Sequence, residues 1–130
     1  MKKNKKIVYV GMSADIIHEG HIASLKKANT LGDVTVGLLT DNAIASYKNI
    51  PYLNYKRRKI IIQNIKYVKR VVPQTTFDYI PNLKLFTPSF VVHGDACKHC
   101  IQTNTIANVI TCLNSWTGKF VKPNTTDNLA

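Results

Sequence analysis

The chain has 130 residues, a formal net charge of +11 and an apolar share of 45%, which is typical of one globular domain with its own core. The apolar run after the charged N-terminal segment is too short for a secretory signal, and no stretch approaches a membrane span. Three cysteines do not make a disulfide framework, so we expect a reducing, cytoplasmic location.

The positive charge is spread along the chain and is carried mainly by lysine. Only Lys2–Lys6 and Lys56–Lys59 form short basic runs, and neither is interleaved with the aromatic residues that stack on nucleic acid bases. The excess charge gives a field that favours an anionic ligand. Nucleic acid binding is the least supported of the interpretations.

The first elements form a strand, a helix and a second strand. Ile7–Met12 and Val34–Leu39 are continuous apolar runs, the pattern of strands covered on both faces. Between them, apolar residues recur at helical spacing and Gly32 is placed to act as a C-cap. The apolar positions of this predicted helix are Ile22, Leu25, Ala28 and Leu31.

Two further helices follow the second strand. Asp41 is expected to cap a short helix that runs through Ser46, and Asn54 to cap a longer one. The predicted buried stripe of the longer helix consists of Ile61, Ile65 and Val68. The residues expected to face solvent are Lys56, Arg57, Lys59 and Lys66.

The second half of the chain continues the alternation of strands and helices. The predicted strands are Arg70–Pro73, Phe90–His93 and Lys119–Lys122. The predicted helices are Asp78–Phe86, interrupted early by Pro81, and Thr105–Trp116. Such alternation predicts a single three-layer α/β domain, doubly wound, with a five-stranded parallel sheet and the first strand at its centre.

The junction between the first strand and the first helix carries the strongest functional signal. His18 and His21 lie three residues apart, with Gly20 between them, where the helix opens. Ligands of open α/β sheets bind at the carboxyl ends of the strands, and a helix N-terminus there favours anions. The histidines and the helix start therefore predict a phosphate site, whereas the simpler alternative is a turn with two solvated imidazoles.

The stretch "VGMSADIIHEGH" resembles the H-x-G-H signature of small cytidylyltransferases in the nucleotidyltransferase superfamily. The stretches "LGDVTVGLLTDNAIASYK", "YLNYKRRKIIIQNIKYVKRVVPQ" and "VVHGD" follow in the family's order and spacing. The likeness is greatest to cytidylyltransferase domains associated with phosphoenolpyruvate phosphomutases of phosphonate biosynthesis. Glycerol-3-phosphate cytidylyltransferases are similar but more distant.

This resemblance implies a Rossmann-like nucleotidyltransferase fold and a defined reaction. An oxygen of a small phosphate or phosphonate acceptor attacks the α-phosphorus of CTP in the presence of Mg²⁺, and pyrophosphate leaves. The acceptor is already an anion at neutral pH, so the enzyme's work is positioning and charge neutralisation. The resemblance also implies a homodimer, while the spread of charge and the lack of a long apolar stretch predict no nucleic acid or membrane partner.

The resemblance also assigns roles to individual residues. His18, His21 and Lys48 are the implied catalytic residues. The implied nucleotide-binding residues are Met12, Ser13, Ala14, Gly20, Arg58, His93, Gly94, Asp95 and Thr126. Asp95 is expected near the nucleotide and the metal, although no side chain is directly predicted to ligate the ion. For Lys48 and Arg58 the alternative is solvated surface charge, and for Asp15 we prefer a turn-capping role.

Two departures from the family's pattern leave a second interpretation open. After His93–Asp95 the chain reads Ala96-Cys97-Lys98, where the family has Asp-Trp-Lys. The C-terminal Ser/Thr motif is matched only in its first half, at Thr126 and the residues after it. The alternative function is therefore a degenerate or truncated, non-catalytic domain with weak nucleotide binding. The "CKHC" stretch at 97–100 offers too few ligands for a structural zinc site and indicates free thiols.

Overall fold

The computed structural model describes residues 6–46, 50–92 and 103–121. The strands are β1 (Ile7–Met12), β2 (Asp33–Leu39), β3 (Arg70–Gln74), β4 (Phe90–Val92) and β5 (Lys119–Val121). The helices are α1 (Glu19–Asn29), α2 (Asp41–Ala45), α3 (Tyr55–Gln63), α4 (Ile80–Phe86) and α5 (Thr103–Asn114). Within these ranges, no helix has the length and apolar character needed to cross a membrane.

All five strands form one parallel sheet in the order β3-β2-β1-β4-β5. The central strand β1 pairs with β2 on one side and with β4 on the other, so that Val8 lies opposite both Val34 and Phe90. The predicted fold class and the central position of the first strand are confirmed. Because the strand order reverses at β1, its carboxyl end is the expected place for a ligand.

The sheet is covered on both faces because side chains alternate along each strand. Val8, Val10 and Met12 face one side, where they share a core with Leu25 of α1 and Ile62 of α3. On the other side, a second core joins the two sheet residues Tyr9 and Val91 to α4 and α5. The α4 and α5 residues in this second core are Leu83, Val109 and Leu113.

The caps of the first two helices differ from the predicted ones. Helix α1 ends at Asn29, and its C-cap is Thr30, which is in the right-handed helical conformation, so the prediction that Gly32 is the C-cap was wrong. Gly32 instead lies against the backbone carbonyl of Lys6, where a Cβ atom would not fit. Helix α2 is capped by Thr40, whose hydroxyl accepts from the Ala43 N–H at 3.2 Å, and not by Asp41.

Helix α3 begins as predicted but buries other residues. Asn54 caps it by accepting from the Arg57 N–H at 3.0 Å. The side chains buried on α3 are Arg58 and Ile62, whereas Ile61 is 42% exposed. The helix ends at Gln63, so Ile65 and Val68, which are half-buried against the first core, lie in the turns that follow it.

The remaining elements shift by one or two residues. Pro81 does not interrupt α4 but occupies its first turn, where the missing N–H has no helical partner to lose. Helix α5 begins at Thr103 and ends at Asn114, two residues before the predicted bounds at each end. The ends that we predicted for the fourth and fifth strands, His93 and Lys122, lie outside the described residues.

Candidate functional site

The loop between β1 and α1 lies at the carboxyl end of the central strand. Met12 ends β1 and is buried, and Ser13 is half-buried. Ala14, which is also buried, has a positive φ of 55°, a conformation that costs a non-glycine residue about 1–2 kcal/mol. The chain then reaches His18, whose extended backbone starts α1 as the N-cap.

The structure brings the two histidines of this loop together. Their ring centroids lie 4.3 Å apart, and the ring planes are tilted by 56°. His18 Nδ1 accepts from the Gly20 N–H at 3.0 Å, and His21 Nδ1 accepts from the His18 N–H at 3.2 Å. The imidazoles therefore form a reciprocal cap in place of the Ser/Thr and Glu/Gln side chains of a capping box.

This cap fixes the tautomer of each ring. A nitrogen that accepts a hydrogen bond carries no proton, so each neutral imidazole has its proton on Nε2. No described residue accepts a hydrogen bond from either Nε2. The pair therefore offers two Nε2–H donors at the helix N-terminus.

The two rings differ in their exposure to solvent. His18 is exposed, whereas only 8% of the surface of His21 is accessible. Burial, and secondarily the neighbouring His18, lower the pKa of His21 from 6.5 to about 4. His21 is consequently a neutral donor across the physiological pH range.

Several backbone amides at the start of α1 are already hydrogen-bonded. His18 Nδ1 accepts from the Gly20 N–H, and the His18 carbonyl accepts from the N–H groups of His21 and Ile22. The helix dipole still places partial positive charge here. An anion at this end would therefore meet the Nε2–H groups of the rings in place of these backbone amides.

Arg58 lies inside the protein, in contrast to the alternative of a solvated surface residue. Its side chain is fully buried and donates to the Leu53, Ser13 and Leu39 carbonyls and to the Asp41 carboxylate at 2.6–2.9 Å. A guanidinium has five N–H donors, and the guanidinium of Arg58 already makes these four hydrogen bonds within the protein. The expectation that Arg58 contacts a nucleotide therefore gives way to a role within the protein.

Asp15 does not bind the backbone of its own turn, as a turn cap would. Its two carboxylate oxygens accept from the Tyr52 N–H at 2.9 Å and from the Leu53 N–H at 3.0 Å. These amides belong to a turn 37 and 38 residues away. The carboxylate does bind backbone N–H groups, but those of a distant segment.

Several predicted site residues lie outside the described ranges. These are Lys48, His93, Gly94, Asp95 and Thr126, together with the departures at Ala96 and Cys97 and the "CKHC" stretch. In the part of the chain that the structure describes, no three His, Cys, Asp or Glu side chains are grouped to hold a metal ion. Cys112 in α5 is a half-buried free thiol.

A model of the cytidylyltransferase-like family matches residues 9–115. The ethanolamine-phosphate cytidylyltransferase of Dictyostelium discoideum is 36% identical over 101 residues, which are 72% of this chain and 27% of that protein. The glycerol-3-phosphate cytidylyltransferase of Bacillus subtilis (strain 168) is 35% identical over 75 residues, 57% of either protein. The corresponding Bacillus spizizenii enzyme is 31% identical over 117 residues, 89% of this chain and 76% of that one.

Among solved structures, a lipopolysaccharide core biosynthesis protein from Thermoplasma volcanium GSS1 matches with a TM-score of 0.76 and 22% identity. The match covers 92% of this chain and 97% of that one, and it supports the fold alone. The family match spans most of the chain, including the loop with the paired histidines. On this evidence the chain belongs to the cytidylyltransferase-like family.

Proposed function

We propose that the protein transfers CMP from CTP to a small phosphorylated acceptor and releases pyrophosphate. The observation that carries the proposal is the pair His18 and His21, whose Nδ1 atoms are both taken by backbone N–H groups. Two Nε2–H donors are thus available at the carboxyl end of the central strand. In a chain of this family, that arrangement suits the triphosphate of a nucleotide.

The reaction requires little of the protein beyond positioning and charge stabilisation. An acceptor oxygen forms a bond to the α-phosphorus of CTP, and the bond from that phosphorus to the oxygen bridging to the β-phosphate breaks. The electron pair of the broken bond leaves with pyrophosphate. Negative charge builds on the phosphoryl oxygens, where fixed donors such as the Nε2–H groups stabilise it. Because the pKa of His21 is about 4, this donor persists from alkaline to mildly acidic pH.

Mg²⁺ is part of the proposal because the family resemblance implies it. Two carboxylates near the loop are already engaged, since Asp15 accepts from two backbone amides and Asp41 pairs with Arg58. The described residues therefore fit an ion held mainly by the phosphate oxygens of CTP, and the resemblance implies only that Asp95 lies near it. When bound, Mg²⁺ would neutralise charge on the triphosphate.

The acceptor is the least constrained part of the proposal. Glycerol 3-phosphate and phosphoethanolamine appear in the names of the relatives, and the sequence resemblance adds 2-aminoethylphosphonate. All three offer an anionic oxygen bonded to phosphorus, which is the group that the reaction needs. The homodimer implied by the resemblance also stays a prediction, testable by sedimentation equilibrium.

The test is pyrophosphate release from CTP and Mg²⁺ with each of the three acceptors. We expect release with at least one acceptor, a preference for CTP over ATP, GTP and UTP, and strong loss in the variant His21→Asn. Lys26→Ala, on the exposed surface of the same helix, is the matched control and should behave as the wild type. Folded protein that neither binds CTP nor releases pyrophosphate would instead support the alternative of a non-catalytic domain.

A further inference from the structure

The turn at Tyr52 and Leu53 is held from two sides. Asp15 accepts from both of its amides, at 2.9 Å and 3.0 Å. On the other side, the Leu53 carbonyl accepts from Arg58 Nε at 2.9 Å. Both backbone polar groups of Leu53 are thus bound, one by a residue of the loop with the histidines and the other by α3.

Arg58 also holds the beginning of that loop. Its Nη1 donates to the Ser13 carbonyl at 2.8 Å and to the Leu39 carbonyl at 2.7 Å, while Nη2 pairs with Asp41 at 2.6 Å. Burying a guanidinium is unfavourable unless its donors are satisfied. Two of the accepting groups are the Ser13 and Leu39 carbonyls, at the carboxyl ends of β1 and β2. Arg58 therefore links both strand ends to α3.

Between these two anchors lies the strained residue Ala14. The Ser13 carbonyl is bound by Arg58 and the Asp15 carboxylate is bound by the turn, while Ala14 between them has a φ of 55°. Such a strained conformation persists only where several surrounding contacts hold the backbone in place. The two anchors supply that constraint at Ala14, four residues before His18.

We propose that Asp15 and Arg58 are positioning residues, which hold the segment 13–15 so that His18 and His21 keep their paired geometry. Neither residue touches the nucleotide in this proposal: Asp15 acts through the backbone of Tyr52 and Leu53, and Arg58 through that of Ser13 and Leu53. The inference rests on the proposed function for its catalytic consequence. Its structural consequence can be measured on the protein alone.

The variants are Asp15→Asn, which retains one accepting oxygen, and Arg58→Lys, which retains the charge but loses the planar fork. Arg57→Lys, at an exposed arginine next to Arg58, is the control. The first readout is the ¹⁵N spectrum of the histidine rings without ligand. We expect the Nδ1 and Nε2 signals of His18 and His21 to shift in both variants and to stay unchanged in the control.

The second readout is steady-state kinetics with CTP. Misplacement of catalytic groups by about 1 Å costs on the order of 10²-fold in rate, so each variant should lose kcat more than it raises KM. Because both residues hold Leu53, the double variant should lose less than the product of the two single losses. If Arg58→Lys does not fold, Asp41→Asn, which removes the carboxylate paired with Arg58 at 2.6 Å, replaces it.

Folded variants with lower thermal stability but wild-type ring signals would overturn the inference, as would losses that multiply in the double variant. If the wild type does not transfer CMP, the proposed function fails. The ring signals then still decide whether Asp15 and Arg58 position the histidine pair.

Discussion

Asparagine in place of either histidine separates the two tasks of the imidazole pair. The Asn amide oxygen lies about as far along the side chain as Nδ1, so it can keep accepting the backbone N–H of the helix cap. No donor remains at the position of Nε2. His18→Asn and His21→Asn therefore remove the Nε2–H donors and leave the start of α1 capped, whereas His18→Ala and His21→Ala remove both features.

The expected magnitudes follow from the contacts at the cap. The hydrogen bonds of 3.0 Å and 3.2 Å that the two rings accept are each worth about 1 kcal/mol of stability. The alanine variants should lose about this much, and the asparagine variants less than half of it. Loss of one donor to developing charge costs roughly 10²–10³-fold in turnover, so all four variants should fall in this range.

The assays are pyrophosphate release for kcat, calorimetry for the CTP dissociation constant, and urea unfolding for stability. We expect turnover to fall far more than CTP affinity, because a donor aimed at the transferring phosphorus acts mainly in the transition state. Asparagine variants with wild-type turnover would refute the assignment of Nε2–H as the catalytic donor. Equal losses in affinity and turnover would mark the rings as ground-state contacts.

Three other predictions concern stability. Because the pKa of His21 is about 4 in the folded protein and 6.5 in the unfolded chain, the unfolded chain binds the proton first; this group should leave the free energy of unfolding unchanged above pH 6.5 and lower it by about 3 kcal/mol between pH 6.5 and about pH 4. In urea unfolding, His21→Asn should lack this component, and identical pH profiles for both proteins would contradict the low pKa. Gly37→Ala should cost about 1–3 kcal/mol, because its Cβ would overlap the hydroxyl and Cζ of Tyr9; in a Tyr9→Leu background, which lacks both atoms, the same change should cost less, and equal costs would count against the overlap. Asn54→Ala should lower stability by about 1 kcal/mol in thermal unfolding, through loss of the α3 cap, and an unchanged midpoint would show that the cap contributes nothing.

The strands could be predicted because strands buried on both faces appear as continuous apolar runs. Ile7–Met12 has the same bounds in the sequence prediction and in the structure, and β2 gains only Asp33. The face of α3 could not be predicted in the same way. Three isoleucines follow one another at 60–62, so periodicity alone does not say which is buried. Tertiary packing buries Ile62 together with Arg58, four residues before it.

The helix starts show a second limit of the sequence. Thr40 and Asp41 are adjacent and both can cap a helix, so the choice between them depends on backbone geometry. At α1 the cap is His18, a residue type outside the usual set. The sequence therefore placed both histidines at the start of α1 without showing that both rings use Nδ1 as a cap.

The paired histidines could be predicted because side chains three positions apart at the start of a helix lie close together. The roles of Asp15 and Arg58 could not. Their partners are the backbone groups of Leu53 and Ser13, which lie 38 and 45 residues away. A backbone amide or carbonyl is common to every residue type, so no sequence pattern marks it as the partner of a distant side chain.

Titration of CTP with Mg²⁺ into the wild-type protein, followed through the ¹⁵N signals of the histidine rings, tests the central claim most directly. The spectra of the two asparagine variants assign the His18 and His21 signals, and cytidine without phosphates is the control ligand. We predict that the Nε2 signals of both residues shift to saturation with CTP and stay unchanged with cytidine. CTP binding, detected by calorimetry, that leaves both Nε2 signals in place would contradict the account.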